Sequence, residues 1–171
     1  GRRVLKCDDL VEVYGSIDEV NSWIGLLIHT PHMGSNRKLF TLIQQDLFLI
    51  GSTLAGWKGD VSPLKNRVAE MEKRIDAMEK KLPPLSNFIL PAGTRESATV
   101  HIVRSLTRRV ERQIVAYGNA KKNQSSVSKA DISITVMYMN RLSDLLFVIA
   151  RGINKTVGVP EVVWSGHKHK E

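Results

Sequence analysis

The run Ser128-Lys129-Ala130-Asp131-Ile132-Ser133-Ile134-Thr135-Val136-Met137-Tyr138-Met139-Asn140-Arg141-Leu142-Ser143-Asp144-Leu145-Leu146-Phe147-Val148-Ile149-Ala150-Arg151-Gly152-Ile153-Asn154 decides the fold. Ile132, Ile134, Val136, Met137, Leu142, Leu145, Leu146, Val148 and Ile149 crowd it too densely for a surface helix with one narrow stripe. A helix that is apolar over much of its circumference belongs inside. The run therefore predicts a central helix, with apolar surface left to face either the core or another subunit.

Working outward, the chain's six prolines and twelve glycines fall largely between segments of helical period. A first helix is expected over 16–30, opened by Ser16-Ile17-Asp18-Glu19 in capping-box form. A second is expected over 36–57, closed by Gly56-Trp57-Lys58-Gly59. The third follows Ser62-Pro63, a proline suited to a first turn, and stops before Pro83-Pro84. The loop Phe88-Ile89-Leu90-Pro91-Ala92-Gly93 leads to a fourth helix capped by Thr94, running to Tyr117 and stopped by Gly118-Asn119. Residues 119–126 read as a polar loop before the fifth helix. Five helices without a convincing strand predict an all-α fold, a five-helix bundle whose short links favour antiparallel neighbours. One domain is expected over 1–171, with an N-terminal arm at 1–14 and a C-terminal tail at 155–171.

The composition is that of a globular domain, with 42% apolar and 25% charged residues in 171. One cysteine, Cys7, cannot form an internal disulfide, so a reducing compartment fits. No run of 18 apolar residues occurs, so no membrane span is expected. The net charge of +8 suggests an anionic partner. Sequence-reading nucleic-acid modules lack their aromatic and zinc-finger spacings, so no nucleic-acid partner is expected.

The fourth helix carries Arg104, Arg108, Arg109, Glu111 and Arg112 in nine positions. At about 100° per residue, Val103, Leu106, Val110 and Ile114 form one apolar stripe. Arg104, Arg108 and Glu111 cluster beside it, and Arg109 and Arg112 point further out. Two readings fit: a salt-bridged flank, or an Arg-Arg-Glu group gripping an anion, for which guanidinium forks are suited. On the first helix Asp18, Ser22 and Gly25 align, with Asn21 alongside. Asp18 either complements the helix dipole or orients an arginine of the fourth helix. Asn140, Asp144 and Arg151 share a line in the very apolar fifth helix, where a buried Asn needs a helix neighbour or a ligand. Three polar strips on three core helices suggest a pocket. Gly51 and Gly56 have P-loop spacing, but Trp57-Lys58 breaks the motif. No glutamate has a histidine three residues on, so a di-iron bundle pattern is absent. His29, His32 and His101 lack metal-ligand spacing, the His167/His169 pair reads as a solvated tail, and no metal ligands are assigned.

Four stretches together resemble ATP:cob(I)alamin adenosyltransferases of the propanediol-utilisation type. They are Glu12 to Gly25, with Tyr14-Gly15-Ser16-Ile17-Asp18-Glu19-Val20-Asn21; Ile43 to Gly51, with Gln44-Gln45-Asp46-Leu47; Leu82 through Phe88-Ile89-Leu90-Pro91 to Arg104-x-x-x-Arg108-Arg109-x-Glu111-Arg112; and Tyr138-Met139-Asn140-Arg141-Leu142-Ser143-Asp144. Order and spacing agree over roughly residues 2–152. The resemblance implies a ferritin-like up-and-down four-helix core plus one helix, a homotrimer with active sites between subunits, and cytoplasmic location. It implies that cob(I)alamin attacks the 5′ carbon of ATP, yielding adenosylcobalamin and triphosphate, with Mg²⁺ accompanying ATP. It further implies that Lys6 and Arg108 stabilise the departing triphosphate, that Arg104 pairs with Asp18, and that Glu111 and Asn140 hold the nucleotide. Phe88 would lie under the corrin ring, excluding water and the lower axial ligand. A reductase and an adenosylcobalamin-dependent enzyme are implied partners. The family's ATP-gripping segment, rich in Thr, Gly and Asp, is expected upstream of Gly1, and Ala92 stands where a second glycine is frequent. The competing reading is a helical bundle that binds or delivers the corrinoid without catalysis. A basic nucleic-acid binder ranks last.

Overall fold

The computed structural model describes residues 9–34, 36–120 and 127–165. Five helices follow in order: α1 (Asp9–Ile28), α2 (Asn36–Leu54), α3 (Leu64–Glu79), α4 (Arg95–Ala120) and α5 (Lys129–Val157), with a 3₁₀ turn at Pro31–Met33. No strand element occurs among the described residues, only an isolated antiparallel bridge between Ile89 and Val163. The all-α, five-helix expectation holds.

Helix α1 begins seven residues before the expected Ser16, so residues 9–14 of the expected arm are helical. Leu10 and Val13 carry the apolar stripe of Ile17, Val20, Ile24 and Leu27 back by two turns, and burial of that stripe outweighs the local capping signal. Ser16 is buried inside the helix instead of capping it. Helix α2 stops at Leu54, short of Trp57, because Gly56 adopts φ +96°. The Trp57 N–H then reaches the Ser52 carbonyl and the Gly56 N–H the Thr53 carbonyl, both at 3.0 Å, the paired bonds of a Schellman ending. Helix α4 is capped by Thr94, whose Oγ1 accepts from the Ser97 N–H at 3.1 Å. It runs through Gly118 to Ala120 instead of stopping there. Gly118 is a close-approach point: a Cβ on it would stand 3.0 Å from Ile132 of α5. Helix α5 is capped by Ser128, which accepts from the Asp131 N–H, and ends at Gly158 with φ +77°. Its last turn takes in residues 155–157 of the expected tail.

Contacts fix the directions. Gln44 bonds the Asn21 carbonyl and Gly51 lies against Ile17, so α1 and α2 run antiparallel. Glu111 meets Asn140 and His101 meets Phe147, so α4 and α5 do too. Glu72 pairs with Arg141 and Met78 touches Gly152, so α3 and α5 run parallel. The α4–α5 seam is the most extensive, followed by α3–α5, α1–α2 and α1–α4. By length and composition α5 is apolar enough to cross a membrane, but Tyr138, Met139, Leu142, Leu145, Leu146 and Ile149 are buried in the shared core, as its central placement requires.

Inside that core Tyr138 Oη donates to Asp46 Oδ2 at 3.0 Å, and Asp46 is ion-paired at 2.9 Å with Arg67, which also holds Glu70 at 2.7 Å. Three helices are thereby tied through one carboxylate. Burial and the adjacent Asp46 charge push the Tyr138 phenol well above its ordinary pKa, so it stays a donor.

Candidate functional site

The segment between α3 and α4 carries Phe88 out of the bundle, where it is 79% exposed. Both ends of this excursion are tied to α5. At the near end Arg151 Nη2 donates to the Pro83 carbonyl at 2.7 Å. At the far end buried Asn154 donates to the Ala92 carbonyl at 3.1 Å and accepts from the Thr94 N–H at 3.0 Å. Gly93, at φ +117°, is required there, since a Cβ would collide with the Asn154 amide. Ala92 contributes its carbonyl, a role its methyl group does not disturb.

Between this loop, α4 and α5 opens a cavity of about 720 Å³, lined by Leu85, Phe88, Ile89, Arg104, Phe147 and Trp164. Trp164 is delivered by the chain after α5: its N–H donates to the Phe88 carbonyl and the Leu90 N–H to the Val162 carbonyl, each at 2.8 Å. The Phe88 and Trp164 rings meet edge-on at 6.4 Å. Phe147 forms the opposite wall with the Arg104 and Arg151 guanidiniums each 5.9 Å from its centroid and the His101 ring edge-on at 6.1 Å.

The electrostatics are unbalanced. Arg104 and Arg108 have no ion-pair partner among the described residues, and Arg104 Nε is buried without a hydrogen bond. Burial and the Arg108 charge lower the Arg104 pKa. His101 is driven down to about 4, first by burial and then by Arg104, against a smaller pull from Glu161. The imidazole is therefore neutral at pH 7. Among the described residues the salt-bridged-flank reading of α4 fails for Arg104 and Arg108, whereas Arg109, further out as expected, is ion-paired with Glu19.

One turn further along, Asn140 Nδ2 donates to Glu111 Oε1 at 3.0 Å. Asn140 is exposed, contrary to the buried amide expected, because it falls on the solvent-facing line of α5 with Ser133 and Met137. The Asn140-Asp144-Arg151 strip also dissolves: Asp144 pairs with Arg141 at 3.0 Å and Arg151 with Glu161 at 2.6 Å. Asp18 is exposed in a separate concavity of about 410 Å³, beside Tyr14, Asn21, Phe48 and Gly51, and does not meet Arg104 within one chain. Lys6 lies outside the described residues. No cluster of three His, Cys, Asp or Glu occurs among the described residues. A further concavity of about 670 Å³ between α3 and α5, lined by Met78, Lys81 and Lys155, holds none of the expected site residues.

Phe88 and Arg104 thus share one cavity, while Arg108 and the bonded pair Glu111 and Asn140 lie further along α4 and α5 from it. His101, Phe147 and Trp164 were not singled out from the residues. For Trp164 a signal existed: Val162-Val163-Trp164 is a β-branched and aromatic run able to pair edge to edge.

Residues 1–153 match the protein family described as Cobalamin adenosyltransferase. A cobalamin adenosyltransferase of Cupriavidus metallidurans is 37% identical over 167 residues, spanning 96% of this chain and 85% of the relative. A corrinoid adenosyltransferase of Bacillus subtilis is 36% identical over 168 residues, spanning 95% and 83%. Among solved structures, a variant PduO-type ATP:corrinoid adenosyltransferase from Lactobacillus reuteri, complexed with cobalamin and ATP, superposes with a TM-score of 0.82 at 29% identity, covering 95% of this chain and 87% of that one. Another variant from the same organism, complexed with ATP, gives 0.81 at 31% identity, over 96% and 91%.

Proposed function

This chain belongs to the cobalamin adenosyltransferase family, and from that premise we propose how its residues divide the work. The activity is transfer of the 5′-deoxyadenosyl group of ATP to cob(I)alamin. A cobalt–carbon bond forms at C5′, the C5′–oxygen ester bond breaks, and triphosphate leaves as an anion. The electron pair comes from the reduced corrinoid, so no protein nucleophile is needed.

The observation that carries the site assignment is an aromatic-walled cavity lined by Arg104, with Arg108 one turn on, neither arginine having a carboxylate partner among the described residues. Phe88, Phe147 and Trp164 offer apolar faces to a flat macrocycle and keep water from the cobalt. Arg104 stands at the cavity edge with a free Nε–H. Arg108, one turn on, faces the growing charge of triphosphate, joined by Lys6. A donor fixed before reaction costs no reorganisation as that charge appears. Glu111 and Asn140, already bonded to each other, hold the nucleotide end.

Mg²⁺ fits the chemistry of this donor set, since that ion is commonly held by one or two carboxylates plus substrate phosphates, with waters completing the shell. Glu111, bonded to Asn140, would supply the carboxylate. When bound, the ion supplies charge neutralisation at the phosphates.

Asp18 and Arg104, apart in one chain, come together in this reading between adjacent copies of a ferritin-like homotrimer. Exposed apolar residues on that side support it: Phe48, beside Asp18, is 71% exposed, and Trp57, beside Phe48, is 61%. Analytical ultracentrifugation should give a trimer, and a monomer at micromolar concentration would remove the inter-subunit site. A cytoplasmic location, a reductase that prepares the corrinoid and an enzyme that consumes adenosylcobalamin complete the setting.

The test is a spectroscopic assay of adenosylcobalamin formation from chemically reduced cob(I)alamin, ATP and Mg²⁺, with triphosphate measured in parallel. Stoichiometric product and triphosphate are expected. Tight corrinoid binding without triphosphate release would favour a carrier instead.

A further inference from the structure

Arg151 is 4% exposed and makes contacts in three directions. Its Nε donates to Glu161 Oε1 at 2.6 Å and Nη2 to Glu161 Oε2 at 3.3 Å. Nη2 also donates to the Pro83 carbonyl at 2.7 Å, and the guanidinium lies over Phe147 at 5.9 Å. Burying an arginine is costly unless its donors and charge are met. Here they are met by two segments far apart in sequence, the start of the Phe88 loop and the chain beyond α5.

Those two segments are the ones that pair through Leu90, Val162, Phe88 and Trp164. Two backbone bonds and one edge-on ring contact are too few to hold an exposed two-strand pairing in water. The pairing needs an anchor, and the Arg151–Glu161 ion pair lies two residues from Val163. Arg151 is also packed on Phe147, the third aromatic wall of the same cavity.

We propose that Arg151 and Glu161 form a latch that assembles the corrinoid face before the substrate arrives: Arg151 is a positioning residue that fixes the Phe88 loop and the Trp164 segment against Phe147, and Glu161 is its counter-charge. The proposal rests on reading this cavity as the corrinoid site. Neither residue touches the nucleotide end at Glu111 and Asn140, so the latch governs one substrate and not the other. Pre-assembly lowers the ordering cost of binding, and its loss therefore appears as weaker corrinoid capture.

The test uses the full chain and Glu161→Gln, which keeps size and half of the hydrogen bonding while removing the charge. In ligand-free protein, hydrogen exchange at the Leu90 and Trp164 amides should accelerate about tenfold, the scale of one charge-assisted hydrogen bond. The KM for cob(I)alamin should rise about tenfold as well, with the KM for ATP and the saturated kcat within about twofold. Arg151→Lys, which retains the charge but loses the fork, should show the same two changes at smaller size. Unchanged exchange at those amides, or unchanged corrinoid KM, overturns the latch, and so does an equal rise in both KM values. Phe88→Ala separates the two levels of the argument. If it alters corrinoid KM or kcat while Glu161→Gln does not, the latch is wrong and the cavity stands. If neither variant affects the corrinoid, the cavity assignment itself is wrong.

Discussion

Two of the polar groups set into this bundle are built on opposite terms. The Tyr138-Asp46-Arg67-Glu70 group closes on itself: one phenol, two carboxylates and one guanidinium meet their partners across α2, α3 and α5. The Arg104-Arg108-His101 group, of which Arg104 and His101 lie against Phe147, stays open, with like charges adjacent, an unbonded Arg104 Nε and an unbonded His101 Nδ1. A closed network holds helices in register. An open one carries an unmet cost that a bound anion or partner can relieve, and such costs gather at functional sites.

Breaking the closed network should give the largest effect. Asp46→Ala strands the buried Tyr138 hydroxyl and leaves Arg67 with Glu70 as its one remaining counter-charge, and should cost about 3 kcal/mol in urea unfolding. Its catalytic constants should hold at temperatures where the variant stays folded. Breaking the open group should do the reverse. Arg108→Ala should lower kcat about 100-fold, the size expected for one lost donor at a developing anion, with an unchanged unfolding midpoint.

A pH series sharpens the contrast. Folded His101 stays neutral down to about 4, whereas an unfolded histidine takes up a proton below about 6.5. The unfolded state then binds more protons, so stability is intact above about pH 6.5 and falls as pH drops towards 4, by about 2 kcal/mol between pH 7 and pH 5. His101→Phe should flatten that part of the profile; an unaltered slope would mean that His101 is protonated in the fold. The smallest effect is Tyr138→Phe, about 1 kcal/mol, because Asp46 keeps Arg67.

How far the sequence disclosed this follows the reach of each signal. Helical period and Gly or Pro punctuation located α2, α3 and α5 to within a few residues, because those signals are local. The start of α1 was missed because Ser16-x-x-Glu19 is a valid cap whose competitor, the stripe through Leu10 and Val13, acts through tertiary burial. Gly118 was misplaced for a similar reason: a glycine that ends a helix and one that admits Ile132 look alike until the neighbour is known. In the site, Arg104, Arg108 and Glu111 were legible as a cluster because one helix carries all three. That Arg104 faces Phe88 and Phe147 was not, since a loop and two helices must converge. Asn140 was expected inside because α5 is so apolar, and only the packing of its neighbours shows that its line of the helix, with Ser133 and Met137, faces solvent beside Glu111.

The open group is proposed to serve catalysis and not stability. Arg104→Met tests it most directly, with adenosylcobalamin formation and urea unfolding measured on the same preparation. The expected result is kcat/KM for cob(I)alamin down about 100-fold, with stability equal to the parent or slightly higher, since a half-buried charge with no carboxylate partner among the described residues has been removed. Full activity accompanied by a loss of stability would contradict it, and would make Arg104 part of the scaffold.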